Sequence, residues 1–190
     1  MHHLGTKEIK TQRLTLRQFQ VTDATMMFKN WTSDEKVIKF LTWPVHQSVD
    51  VTKKVLNDWI ESYQDLSFYQ WAIVLDEINE PIGSISVVDI NEQTNMVHIG
   101  YCIGSQWWHQ GMTSEAFAAV IQYLFEEVKV NRIETQHEPD NPNSGKVMKK
   151  CGLTYEGTLR QAMYSNQGIV DACVYSLLAS EYQNLKKKTI

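Results

Sequence analysis

Cysteine, proline and glycine are all scarce in this 190-residue chain, at three, four and nine residues. Cys102, Cys151 and Cys173 are odd in number and none lies in a C-x-x-C pair, which excludes a disulfide framework or a cysteine-based zinc site. No linker, internal repeat or low-complexity tract interrupts the chain. Apolar stretches such as Ala72-Ile73-Val74-Leu75 fall far short of the roughly 20 residues that cross a bilayer. The start, Met1 to Glu8, lacks the apolar centre of a signal peptide, so export is not expected and the cytoplasm fits best. Basic residues are outnumbered, 18 Lys and Arg against 22 Asp and Glu, for a net charge of −4. Without a basic stripe, neither nucleic acid nor a membrane surface is an expected partner.

What the chain does hold is core material. Hydrophobic residues make up 43%, with six Trp, eight Tyr and six Phe. At about 150 residues for an ordinary domain, the length favours a single domain, 1–190.

Arg13-Leu14-Thr15-Leu16-Arg17 alternates polar and apolar, the period of a half-buried strand. Thr22-Asp23 offers an N-cap for a helix over 24–30, and Ser48 another for Val51, Val55, Leu56, Trp59, Ile60 and Tyr63, which recur at helical spacing. Thr42-Trp43-Pro44 between them reads as a loop, because proline disfavours helix in the residue before it. Segments 69–75, 82–90 and 96–103 are rich in Val, Ile and aromatics and are separated by turn residues, which predicts an antiparallel meander. From Ser114, apolar residues at Ala116, Phe117, Val120, Ile121, Leu124, Phe125 and Val128 keep the helical period for about four turns. Residues 132–137 read as a strand, 141–151 as a short helix stopped by Gly152, and 153–159 and 169–178 as closing strands. The order β, α, α, β, β, β, α, β, α, β, β predicts the α/β (α+β) class, a mixed sheet of about seven strands with helices on its faces. Lys186-Lys187-Lys188 reads as a frayed, solvated end.

The segment from Ile99 to Ala116 joins a strand to the long helix through a polar loop ending at Gly111. Such a junction aims unpaired N–H groups and the positive end of the helix dipole at one spot, which suits a pyrophosphate. A glycine there lets the backbone approach closely, although a glycine before a helix is more often the mark of a plain turn.

Trp107-Trp108-His109-Gln110-Gly111-Met112-Thr113-Ser114-Glu115-Ala116 resembles the acetyl-CoA pyrophosphate loop of GNAT N-acetyltransferases, in the branch related to Rim-type ribosomal-protein N-terminal acetyltransferases. Five further segments are similar to that branch, in order: Thr11 to Arg17, Pro81-Ile82-Gly83-Ser84-Ile85, the Asn-x-x-Ser segment Asn141 to Leu153, and the closing segments Tyr155 to Arg160 and Asp171 to Glu181. The likeness covers about 8–183.

The resemblance implies a mostly antiparallel sheet that splays between its fourth and fifth strands, with the pantetheine of acetyl-CoA between them. It implies backbone contacts from Cys102 and Ile103 to the pantetheine, and N–H groups of Gln110, Gly111, Met112 and Thr113 around the pyrophosphate, with His109 and Ser114 flanking. Asn141 would hydrogen-bond the pantetheine arm. Trp108 and Thr113 depart from the family's usual Arg or Gln and Gly or Ala, and the Thr113 hydroxyl can itself donate to a phosphate oxygen.

Once amine and thioester are held together, three chemical tasks remain: a neutral amine, a stabilised carbonyl oxygen and a partner for the departing thiolate. Many relatives place Glu where this chain has His98, whose ordinary basicity suits a general base, the plainer reading being a hydrogen-bonded strand histidine. Relatives with other acceptors often have Tyr at Met148, which cannot donate; Ser144 is the substitute that the Rim-type pattern suggests, or simply a cap. Met163 stands where an acid is sometimes found. Trp43, Trp71 and Tyr164 are candidates to line the acceptor pocket, or are core. No metal is expected, since His98 and Cys102 share a strand face without further ligands, and no G-x-S-x-G signals a hydrolase.

The expectation is therefore an acetyl-CoA-dependent N-acetyltransferase acting on a primary amine, whether a ribosomal-protein N-terminus or a small amine, amino acid or antibiotic. The alternative of another class is an acyl-CoA-binding module that has lost turnover. A homodimer is common in such a family.

Overall fold

Strand periodicity governs the first half of the chain, where β1 (Ile9–Lys10), β2 (Leu14–Arg17), β3 (Gln70–Leu75), β4 (Glu80–Asn91) and β5 (Met96–Ile103) pair antiparallel in sequence order. The computed structural model describes residues 1–188. Asn79 and Asn95 adopt left-handed φ of 51° in the two meander turns, a conformation that asparagine tolerates well. β6 (Arg132–His137), β7 (Thr154–Ser165) and β8 (Gly168–Leu178) extend the sheet to eight strands in the order β1-β2-β3-β4-β5-β6-β8-β7. The strand beyond the seven expected is the two-residue β1.

β5 and β6 run parallel and pair only at Met96 with Arg132, Val97 with Ile133 and His98 with Glu134. Beyond that apex, where the Thr135 hydroxyl donates to the Ile99 carbonyl at 2.8 Å, the strands diverge. The expected splay is thus present, between β5 and β6 because β1 adds one to the count.

Of the helices, α1 (Ala24–Met27), α2 (Glu35–Ile38) and α3 (Val49–Ser62) cover one face, and α4 (Met112–Tyr123), α5 (Pro142–Lys150) and α6 (Ala179–Lys188) the other. β3 feeds both cores by its period of two: Trp71, Ile73 and Leu75 join the larger cluster under α4, and Ala72 and Val74 the smaller one under α1 and α3.

Several boundaries differ from expectation. The helix expected over 24–30 begins as a 3₁₀ turn, Val21–Asp23, and ends as a π turn, Phe28–Thr32. Gln20 caps the 3₁₀ turn, and Asp23 occupies the N-cap position of α1 without a side-chain capping bond there, because its carboxylate is drawn back to the Gln20 N–H and to Arg17. β7 runs six residues past the expected stop at Leu159, because a bulge absorbs the weak strand formers: Leu159 opposes Ala172 and Met163 opposes Val170, while Gln161 takes φ of 52° and donates its N–H to Asp171. The terminus read as frayed is helical to Lys188, and Lys186 pairs with Glu126; the side chains of Lys187 and Lys188 lie outside the described residues.

Gly83 shows how tightly β4 holds β5. A Cβ there would stand 2.4 Å from the Cys102 carbonyl and 2.8 Å from the Ile103 Cα. Since backbone cannot yield as a side chain can, Gly83→Ala is expected to destabilise the fold by about 2–3 kcal/mol, read as a lowered denaturation midpoint.

Candidate active site

The wedge between β5 and β6 takes its chemistry from antiparallel alternation. The Gly104 N–H donates to the Ile82 carbonyl at 2.8 Å, so residues opposed to β4 at Gly104, Cys102 and Gly100 spend their backbone groups on β4. Those of Ile99, Tyr101 and Ile103 point the other way, into the wedge. This corrects the expectation for Cys102, whose backbone bonds Ser84 of β4 and whose half-buried thiol lies 3.4 Å from the Ser84 hydroxyl, with burial raising its pKa. The Ile103 carbonyl already accepts from the Trp108 indole at 3.0 Å. The wedge is therefore offered the Ile103 N–H and both backbone groups of Tyr101, a residue that sequence reasoning passed over.

Past the wedge the chain makes a short 3₁₀ turn, Ser105–Trp107, and then places His109 at φ 60° and Gly111 at φ 78° before α4. Two left-handed residues so close together turn successive N–H groups outward. Among the described residues, nothing accepts from the N–H of Gln110, Gly111, Met112, Thr113 or Ser114.

The loop is held from outside by Glu115 in the first turn of α4, which accepts from the Thr11 hydroxyl at 2.7 Å, the Arg13 N–H at 2.9 Å and the Arg13 Nε at 2.8 Å. Burial pushes the Glu115 carboxyl up, but these bonds outweigh it and its pKa lies below the usual range. Arg13 also donates to the Gln110 carbonyl at 3.1 Å. A Cβ on Gly111 would stand 3.6 Å from the Lys150 ammonium and 3.8 Å from the Arg13 guanidinium. Free amides, a cradle lacking Cβ and two flanking cations have the chemistry of a diphosphate site. Arg13 and Lys150 gave no local signal, being distant from the loop in sequence. Asn141 caps α5 with its side-chain amide unpartnered among the described residues, free for a ligand.

Two proton-transfer candidates flank the wedge on opposite faces. His98 sits at the apex on the α1–α3 face, its side chain 17% exposed, with Nδ1 3.7 Å from Glu134 Oε1. Burial lowers its pKa, while Glu134 and Asp89 pull the other way, so imidazole is the form present at neutral pH. Ser144 lies on the α4 face, where the Tyr101 hydroxyl is 3.0 Å from its Oγ and donates to its carbonyl at 3.2 Å. Burial pushes the Tyr101 phenol well above its ordinary value, so it remains a proton donor. Met148 is fully buried in the core.

The wedge is bridged on the His98 face by Asn166, at the tip of the β7–β8 hairpin. Its N–H donates to the Leu41 carbonyl at 2.9 Å, and its amide to the Ile38 and Trp43 carbonyls at 2.9 and 2.8 Å. Trp43 packs beside this clasp with its ring 5.3 Å from that of His46, and Tyr164 is exposed two residues before it. Trp71 is not brought to the site: it is fully buried under α4, its indole donating to the Lys7 carbonyl at 2.7 Å. No helix among the described residues is long and apolar enough to cross a membrane.

Residues 13–154 match the acetyltransferase (GNAT) domain family. The chain is 32% identical over 176 residues to the Bacillus licheniformis protein named "Uncharacterized N-acetyltransferase p20", covering 90% of this chain and 96% of that one. It is 28% identical over 137 residues to a ribosomal-protein-serine acetyltransferase of Escherichia coli, covering 72% and 75%. A GNAT-family acetyltransferase structure from Bacillus anthracis superimposes with a TM-score of 0.79 at 25% identity, over 92% of this chain and 99% of the other. A ribosomal L7/L12 alpha-N-protein acetyltransferase solved with coenzyme A shares the fold, with a TM-score of 0.80 at 23% identity over 90% and 98%. With amides and cations laid out for a diphosphate and a splayed sheet beside them, the chain belongs to the GNAT acetyltransferase family and is an acyltransferase.

Proposed function

We propose that the chain is one N-acetyltransferase domain over 1–190, which moves acetyl from acetyl-CoA to the free α-amine at the end of a polypeptide, a ribosomal protein being the leading acceptor. The observation that carries this reading is the placement of base and acid candidates on opposite faces of the wedge. Attack on a thioester calls for a base at the amine, and departure of its sulfur for a hydrogen-bond donor, and His98 and the Tyr101–Ser144 pair offer one on each face.

Acetyl-CoA supplies the activated acetyl group. The loop amides from Gln110 to Ser114, with Arg13 and Lys150, hold its diphosphate, and Asn141 steadies the arm. His98, neutral at physiological pH, takes a proton from the acceptor ammonium. A wedge-facing N–H of β5 receives the charge that grows on the carbonyl oxygen. On the opposite face the Tyr101–Ser144 pair offers a hydrogen bond to the departing sulfur.

The Asn166 clasp supports an amine at a chain end, because a bridged wedge admits a slender terminus more readily than a side chain presented by a folded surface. Asn166→Ala removes two side-chain bonds of about 1 kcal/mol each. It is expected to raise KM for a peptide acceptor by roughly tenfold with CoA affinity unchanged, as steady-state kinetics and calorimetry would show. The decisive test is mass spectrometry of peptide and small-amine pools incubated with acetyl-CoA. Acetylation at peptide N-termini supports the proposal. Acetylation confined to free amino acids or small amines transfers the assignment to them.

A further inference from the structure

The parallel register that pairs His98 with Glu134 also puts Arg132, two residues earlier on β6, on the same face of the sheet. Arg132 grips Glu134 Oε2 at 2.6 Å and reaches Glu156 with both terminal nitrogens, at 2.8 and 2.6 Å. Glu156 is available because it is the extra residue of a bulge: Tyr155 opposes Tyr175 and Gly157 opposes Val174, which leaves Glu156 out of the ladder. The Ser176 hydroxyl then donates to Glu156 at 2.7 Å. The result is a chain of polar groups across four strands, Asp89 and His98, then Glu134, Arg132 and Glu156.

We propose that Glu134 is a positioning residue for His98, and that Arg132 sets how much of its charge His98 feels. The inference rests on the reading of His98 as the base. Glu134 has one oxygen committed to Arg132 and the other directed at His98 Nδ1, at the distance of an ion pair rather than a hydrogen bond. The nearby Glu134 carboxylate favours a ring proton on Nδ1, and Nε2 has no partner among the described residues. When Nε2 takes a proton from the acceptor ammonium, the amine is left neutral and the imidazolium is stabilised by a carboxylate already in place. Arg132 keeps this from going too far. Were Glu134 uncompensated, its pull toward imidazolium would be stronger before the acceptor arrived.

The other charged groups facing His98 are Asp89 across the β4 pair and, through Arg132, Glu156, which Arg132 and Ser176 hold at a pKa of about 2. Glu156 therefore stays anionic through the neutral range and does not confuse the titration of His98.

The sign of each effect follows. Glu134→Gln removes an anion that favours imidazolium, so the His98 pKa falls and the acid limb of kcat/KM moves to lower pH, by about one unit. With a weaker and less oriented base, kcat at neutral pH drops by about tenfold. Arg132→Met keeps the aliphatic stem but frees Glu134, so the same limb moves to higher pH. A general loosening of the sheet would not shift the two variants in opposite directions.

The experiment is an NMR titration of the His98 ring proton, assigned by its loss in His98→Ala, in the wild type and in both variants, beside the pH profiles. Opposite displacements of the His98 midpoint support the proposal. An unmoved midpoint in Glu134→Gln overturns it, even where His98→Ala is inactive. If His98→Ala keeps full turnover, the base reading fails instead, and the titration still reports whether the three side chains are coupled. Should Arg132→Met fail to fold, the isosteric Glu134→Gln decides alone.

Discussion

Gly111→Asp is expected to weaken coenzyme A binding by about 100-fold or more, equivalent to some 2.7 kcal/mol, while leaving the fold intact. Left-handed backbone is costly for most side chains, but aspartate is among those that tolerate φ near 78°. The added Cβ meets only the ends of two flexible side chains, at 3.6 and 3.8 Å. Those ends are the Lys150 ammonium and the Arg13 guanidinium, so the new carboxylate would take the cations that a diphosphate needs and repel it from the helix N-terminus. Gly111→Ala, with the same backbone demand and no charge, separates the two effects and is expected to bind better than the aspartate variant. Calorimetry with coenzyme A alone reads the outcome. Affinity for Gly111→Asp within threefold of wild type, with an unaltered melting curve, would refute the diphosphate assignment.

His98→Ala is expected to lower kcat by about 100-fold, the low end of what a positioned base contributes, with coenzyme A affinity unchanged. Burial is the dominant influence on His98 and lowers its pKa, outweighing Glu134 and Asp89. The wild-type rate should therefore be level through neutrality and fall only as pH drops below the ordinary imidazole value, where His98 takes up its proton. His98→Ala should lack that acid limb. Loss of a half-buried ring also costs stability, so the melting midpoint must be read beside the rate. An unchanged profile and a kcat within twofold of wild type would make His98 a structural residue.

The two residues were not equally visible in the sequence. Gly111 could be singled out from a polar loop before an amphipathic helix, because helix termini and glycine have local rules. His98 stood out only by resemblance, as an imidazole where relatives carry Glu. Its partners were invisible: Glu134 and Arg132 come from a strand that meets β5 through a long crossover, and Glu156 through a bulge that no composition rule marks. Cys102 shows the converse error. Its place near the loop was right, but which of two neighbours offers its N–H to the wedge depends on the phase of the β4–β5 ladder, a property of the pair and not of either strand. Trp71 fails in the same way, since a tryptophan on a strand buried on both faces has no pocket to line.

By itself the sequence determined the elements and their types. The alternation of β2 to β5, the Ser48 cap that accepts from Val51, and the helical period from Ala116 to Val128 are set by neighbours a few residues apart, where propensity and period act directly. Tertiary structure decided what those elements do together. Only the fold could bring Arg13 to Glu115 across 102 positions, Asn166 to Trp43 across 123, and His98 to Glu134 at the apex of a splayed sheet. The energies of such contacts depend on distance and burial in space, and local sequence carries no record of either.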